Sequence, residues 1–412
     1  MNNQAWILRN ARIFDGHAAE LIEGGSVVIE SGRIREISPG DAKLSNARVI
    51  DCAGRFLMPG MIDAHFHSYT PTFDVAATQR MPMALLAQHA RVILEGALSR
   101  GFTTVRDAAG GDYALWAAIE QGLIKGPRFF YSGRAISQTG GHGDMRPAEE
   151  AGVCQCASSA AMTVIVDGAD AVRRAAREEL RRGATQVKIF ISGGIDSPTD
   201  PIWMPQFSDA EISAAVEEAT RRRTYVMAHC HTDDGARRCA ELGIRSVEHG
   251  TDISPETAQL LAQKNVYVVP TLTVMDVLRR HERDLALPAA SHDKLRGTFE
   301  RMAESIQVCA RHGVRLGLGA DLLDSRFHPL QGWELALRGE ISPPLEVLRS
   351  ATSINAEILQ MGGQLGCIQP GAHADLLLVE GDPLRGLDMF REPEKALRLV
   401  MKAGDIVVDR RS

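Results

Sequence analysis

Phe56-Leu-Met-Pro-Gly-Met-Ile-Asp-Ala-His65-Phe66-His67 is the stretch on which the fold turns. An apolar run, Leu57–Ala64, ends on two imidazoles two residues apart. Side chains two apart along a strand share a face, so both rings could reach one metal ion from a strand end. The pair alone is weak evidence. With 13 histidines in 412 residues, chance supplies about 0.4 such pairs. The chain holds a second, His229-Cys230-His231.

Outward from this run, further apolar runs recur at Thr103–Arg106, Arg128–Tyr131, Gln186–Ile191, Thr224–Ala228, Arg245–Val247, Val266–Val269 and Arg315–Leu318. Helical stretches separate most of them. Ala84–Ser99 and Asp170–Arg182 carry apolar residues at helical spacing. Ser208–Arg223 opens with Ser208 and has Glu211 three residues on, the pattern of a capping box. Strands alternating with helices in this way predict an α/β fold, a (β/α)8 TIM barrel. An open doubly wound sheet is the alternative, but no GxGxxG or GxxxxGK[ST] motif supports a nucleotide-binding version of it.

Polar residues cluster where these strands should stop. His229 ends TYVMA, His249 ends RSVE and Asp321 follows VRLGLGA. In a (β/α)8 barrel those ends face the active site. Histidine with aspartate suits a borderline cation such as zinc. Core histidines or capping aspartates could explain any one of them, but not their common placement. Lys188 lies inside the apolar run VKIFISGG, where a lysine is unfavourable unless paired, neutral or snorkelling to water. Burial lowers a lysine's pKa. A neutral amine can take up carbon dioxide as a carbamate, an anionic ligand able to bridge two ions.

Both chain ends read as short strands: Ala5–Ile13, Gly25–Glu30 and Arg33–Ile37 at one, Asp375–Glu380, Ala396–Lys402 and Asp405–Asp409 at the other. We therefore expect a small β-sandwich domain from residues 1–56 and 367–412, with the barrel over 57–366. Charged residues are 24% and the net charge is −6, which implies no nucleic-acid-binding face. No apolar run approaches the ~18 residues of a membrane span and no signal peptide is evident. A cytoplasmic protein is expected. The seven cysteines are mostly scattered. Cys154 and Cys156, the one close pair, do not make a zinc ribbon, and reduced thiols are expected.

At this point the sequence resembles the amidohydrolase superfamily, over nearly its whole length. FLMPGMIDAHFH is similar to the first-strand motif, VKIF to the strand-four lysine, AHCH to strand five, VEHG to strand six and GAD to strand eight. ATSINAEILQMGGQLGCIQPGAHADLLLVEGDPL resembles the block joining the last barrel helix to the sheet domain. Within the superfamily the chain is similar to the imidazolonepropionase-like branch, which includes prolidases, other Xaa-Arg/Lys dipeptidases, N-acyl-amino-acid hydrolases and ochratoxin-type amidases. The resemblance implies two divalent ions, zinc foremost. His65, His67 and Asp321 would hold one and His229 and His249 the other. Lys188, as N6-carboxylysine, would bridge both with a hydroxide between them. Asp321 would shuttle the proton.

The resemblance also implies that His142, in SQTGGHGD, meets the substrate carbonyl or carboxylate. His231 stands where dipeptidase relatives often carry tyrosine. Tyr69 and His328 are further candidates for substrate contact. Arg106 and Asp107 are expected to form a structural ion pair. The function implied is metal-dependent hydrolysis of a small-molecule dipeptide or N-acyl amino acid, ochratoxin-like amides included, by attack of the metal-bridging hydroxide. A homo-oligomer is expected, since such relatives are commonly tetramers or octamers. Two alternatives stand beside this. One is a cyclic amide or imidazolone hydrolase or a heterocycle deaminase on the same scaffold. The other is a catalytically silent barrel used for assembly.

Overall fold

The computed structural model describes residues 4–146, 150, 162–285, 287 and 289–411. The N-terminal strands are β1 (Trp6–Ile13), β2 (Ile22–Glu30), β3 (Arg33–Ser38), β4 (Arg48–Asp51) and β5 (Phe56–Pro59). The parallel strands that follow are β6 (Met61–Phe66), β7 (Phe102–Asp107), β8 (Arg128–Tyr131), β9 (Ala135–Ser137), β10 (Thr163–Ile165), β11 (Val187–Phe190), β12 (Val226–Cys230), β13 (Ser246–His249) and β14 (Tyr267–Val269). The C-terminal strands are β15 (Leu376–Val379), β16 (Leu397–Lys402) and β17 (Asp405–Asp409).

The deciding run is two strands, not one. β5 pairs with β1 and β15, whereas β6 pairs with β7. The chain changes sheets at Gly60, whose N–H donates to Asp375 at 2.7 Å while Met61 donates to Gly101 at 3.0 Å. Only glycine fits at this crossing: a Cβ would lie 2.1 Å from Thr103 Oγ1. Gly60→Ala is expected to lower stability by about 1–3 kcal/mol through overpacking. A drop in the urea midpoint would register it, and an unchanged midpoint would show that the crossing can relax.

Both chain ends join one sheet, in the order β17-β16-β15-β5-β1-β2-β3, with β4 against β1. Its central strands β5, β15 and β16 are buried on both faces. Leu376, Leu378, Leu399 and Met401 pack with Leu8, Ile13, Val27 and Ile29 in a core of the sheet's own. The alternate residues Leu377, Val379, Leu397 and Val400 pack with Phe56 and Met58 against Leu94, Leu98 and Phe102. The period of two along β5 and β15 thus feeds two cores, and a register irregularity moves Leu397 of β16 to the face opposite Leu399.

The central strands form two parallel sheets, β6-β7-β8 and β10-β9-β11-β12-β13-β14. Thr185 N donates to Tyr131 O at 2.8 Å, linking β8 to the entry of β11. The expected run Arg315–Leu318 makes a single parallel bridge, Val268–Leu316, rather than a ladder. Its polar groups are satisfied otherwise. Gly317 N donates to Val268 O at 2.8 Å and Ala64 N to Leu318 O at 2.9 Å. Asn355 accepts from Leu318 N at 3.1 Å and donates to Leu318 O and Ile62 O at 2.8 and 2.7 Å.

Helices Met83–Ser99, Ala169–Arg181 and Asp209–Arg221 lie where the periodicity predicts them, and the Ser208–Glu211 capping box is formed. Among the described residues no helix is long and apolar enough to cross a membrane. Cys154 and Cys156 lie outside the described residues.

Candidate active site

The C-terminal ends of the parallel strands deliver the polar residues to one place. His65 comes from β6 and His67 from just beyond it. Lys188 comes from β11, His229 from β12, His231 from just beyond, and His249 from the end of β13. Asp321 follows the 315–318 segment. Each lines the same cavity.

Two groups of ligating atoms converge there, each within 4.8 Å: His65, His67 and Asp321, and His229, His231 and His249. Asp321 sits between them. Its carboxylate is 3.0 Å from His67 Nε2, 3.5 Å from His65 Nε2 and 3.7 Å from His249 Nδ1. His249 and Asp321 have φ of 71° and 52°. Neither is glycine, and such strain is characteristic of functional sites.

The donor set fits divalent cations. Burial holds the imidazoles of His65, His229 and His249 well below their usual pKa, and that of His231 at about 3. They are therefore neutral near pH 7, with lone pairs free for a metal. His67 Nδ1 is buried without a hydrogen-bond partner. Burial also lowers the Lys188 amine to about 8. Its side chain stands 5.6 Å from the Phe190 ring.

Beneath these residues is a network that the sequence did not disclose. His65 Nδ1 is 2.8 Å from Glu248 Oε2, and Arg106 donates to both oxygens of Glu248. The expected Arg106–Asp107 ion pair is not formed. Neighbours on a strand point to opposite faces. Asp107 instead accepts from Ser68 N and Oγ at 2.7 and 2.6 Å and from Gly111 N at 2.9 Å, fixing the loop after β6.

His142 reaches the cavity and stacks on His229, with ring centroids 4.3 Å apart. The backbone of Gly194 lies flat against it; a Cβ there would sit 2.0 Å from His142 Cε1. Its Nδ1 is 2.8 Å from Ser197 Oγ and its Nε2 3.4 Å from Asp196. Ser197 and Asp196 lie in the loop after β11 and carry no motif that would have flagged them. His231 Nδ1 is 2.6 Å from Thr251 Oγ1, and its ring stacks on His249 at 4.9 Å.

Tyr69 and His328 are not brought to the cavity wall. Tyr69 packs in the core with its hydroxyl 3.4 Å from Asp112. His328 is buried with Nε2 3.4 Å from Thr70 Oγ1, tying the loop after β6 to the segment beyond Asp321. Both were expected to touch substrate. Each instead turns into the packing behind the loop that starts at His67.

The remaining wall is apolar. Phe73, Val75, Met145, Met162, Ile195, Val274, Met275, Leu278 and Leu323 all contribute to it.

The model of the amidohydrolase family matches residues 56–407. The chain belongs to the amidohydrolase family. As an amidohydrolase of the prolidase and ochratoxinase branch, it is a hydrolase acting on amide bonds. It is 34% identical over 368 residues to the ochratoxinase of Aspergillus niger, covering 85% of this chain and 75% of that one. The crystal structure of an amidohydrolase superposes with a TM-score of 0.95 at 42% identity, over 98% of this chain and 99% of that one. A prolidase complexed with N-methylphosphonate-L-proline gives 0.95 at 40%, over 99% and 100%.

Proposed function

We propose that this amidohydrolase is a binuclear metal-dependent enzyme that cleaves the amide bond of dipeptides or N-acyl amino acids, ochratoxin-like amides among them. The observation that carries this is Lys188: a buried amine, lowered to about 8, on the same cavity wall as two groups of ligating atoms. Among the described residues no ion pair holds this lysine, and as N6-carboxylysine it would supply the anion that two cations need between them. The parallel segments from β6 to 315–318 are read as a closed (β/α)8 barrel that starts at Met61, four residues later than the sequence suggested, with the strands before Gly60 and residues 367–412 as a small β-sandwich around its own core.

His65, His67 and Asp321 would hold one ion, and His229 and His249 the other, with Lys188 shared. Two divalent ions, zinc being suited to this nitrogen and oxygen set, would supply an activated water and polarise the scissile carbonyl. The protein does the rest. Asp321 takes the proton from the attacking water and delivers it to the leaving amine nitrogen. His142 and His231 would bind and orient the carbonyl or carboxylate of the substrate; what supports that reading is their place in the cavity, where His142 stacks on His229 and His231 on His249. The groups on the leaving nitrogen would then meet the apolar part of the lining, to which Phe73, Val75, Val274, Leu278 and Leu323 belong. A bulky apolar amino acid is the leaving group these walls favour.

Metal analysis and a substrate library test this together. Protein purified without chelators is expected to carry about two ions per chain. It should release Phe, Leu or Met from N-acyl derivatives faster than Asp or Lys. One ion, or ring opening and ammonia release with no free amino acid, would instead favour a heterocycle hydrolase or deaminase.

A further inference from the structure

We propose that the buried Arg106–Glu248 pair is the positioning device for His65, fixing which ring nitrogen faces the metal centre. The inference rests on the binuclear reading above but concerns residues outside the ligand set. Arg106 and Glu248 have no solvent exposure. Three donors converge on the Glu248 carboxylate. Arg106 Nη2 lies 2.9 and 3.0 Å from its two oxygens, Ser246 Oγ 2.6 Å from Oε1, and His65 Nδ1 2.8 Å from Oε2. Arg106 also donates from Nη1 to Ser246 Oγ at 3.1 Å and from Nε to Ala64 O at 2.6 Å. One guanidinium from β7 therefore ties β6, through Ala64, to β13, through Ser246 and Glu248.

Stability is a poor reason for such a pair. Burying two charges is often no better than packing two apolar side chains of similar volume. The pair does something that apolar residues cannot. A carboxylate only accepts hydrogen bonds, so the proton of His65 stays on Nδ1. The lone pair then lies on Nε2, which faces Asp321 at 3.5 Å. A carboxylate behind a ligating histidine holds tautomer and ring angle together. Arg106 holds that carboxylate from the other side. Glu248 directly precedes His249 on β13, so the strand end that supplies one group's imidazole also orients an imidazole of the other.

The test compares wild type, Glu248→Gln and the double variant Arg106→Met/Glu248→Met. Metal affinity is read by competition with a chromophoric chelator, ion geometry by the visible spectrum of the cobalt-loaded protein, and stability by thermal unfolding. Glu248→Gln is expected to weaken one of two ions about 10–100-fold and to alter the cobalt bands of that ion alone. It also leaves Arg106 without its counter-charge and lowers the melting temperature. The double variant removes both charges, so it should regain stability without regaining affinity. A merely structural pair predicts the opposite: affinity that returns with stability. Either variant binding both ions at wild-type affinity with an unchanged spectrum overturns the proposal. Wild-type protein that binds no second ion overturns the binuclear reading and this inference with it, and that result is visible before any variant is made.

Discussion

Replacing Lys188 with alanine is expected to lower kcat/KM by about 10³-fold or more, which is ~4 kcal/mol of transition-state stabilisation, and to reduce bound metal from two ions toward one. The size follows from what the side chain is asked to do. Two cations a few ångströms apart repel strongly in a buried site, and burial keeps His65, His229, His231 and His249 neutral. Apart from Asp321, a carboxylated Lys188 is the anion that can offset their charge. Burial lowers the amine to about 8, so at pH 7–8 a sizeable fraction is neutral and able to add carbon dioxide. A lysine with its ordinary pKa near 10.4 would be almost wholly protonated there. Alanine leaves a gap the size of the chain and its carboxylate. A small carboxylate added to the assay, such as acetate or propionate, should therefore restore part of the activity and of the second ion. Circular dichroism would establish that the variant keeps the wild-type secondary-structure content. Full activity with two ions retained in Lys188→Ala would remove the bridging role altogether.

What the sequence disclosed and what it hid follow from how far each signal reaches. The apolar runs, the capping box at Ser208 and the two β-rich ends are local patterns, and the structure places elements there. Residues at strand ends are also legible, because His65, His229 and His249 terminate runs of recognisable period. The sheet change at Gly60 was not. Phe56 to Ile62 carries no charged or polar side chain, and only the packing of Thr103 against Gly60 shows where one strand ends and the next begins. Arg106 misled for a related reason. Its neighbour Asp107 is close in sequence but on the other face, while Glu248, 142 residues away, is the true partner. Tyr69 and His328 follow predicted ligands, yet the course of the loops takes them away from the cavity. Ser197 and Asp196, which hold His142, belong to a loop whose path no periodicity specifies.

Asp321→Asn separates metal binding from proton transfer, and kcat is expected to fall by about 10²–10⁴-fold with a much smaller change in KM. Asparagine keeps an oxygen of the same reach, so a ligand to the first ion survives. It cannot accept the proton of the attacking water, nor return one to the leaving nitrogen. The backbone argues that the loss will be chemical rather than structural. Asp321 holds φ at 52°, and asparagine is among the few residues that adopt that region readily. Its N–H donates to His65 O at 2.9 Å, and the preceding Ala320 N donates to Asp63 at 3.2 Å. Neither bond involves the Asp321 side chain. The position of the side-chain oxygen should thus be kept while the basicity of the carboxylate is lost. A substrate with a leaving group that needs no proton, such as a p-nitrophenyl ester, provides the sharper measurement. If Asp321 delivers the proton to the leaving amine, the deficit on the ester should be markedly smaller than on the amide. An equal deficit on both would confine Asp321 to activating the water, and an Asp321→Asn enzyme within tenfold of wild type on the amide would take it out of proton transfer entirely.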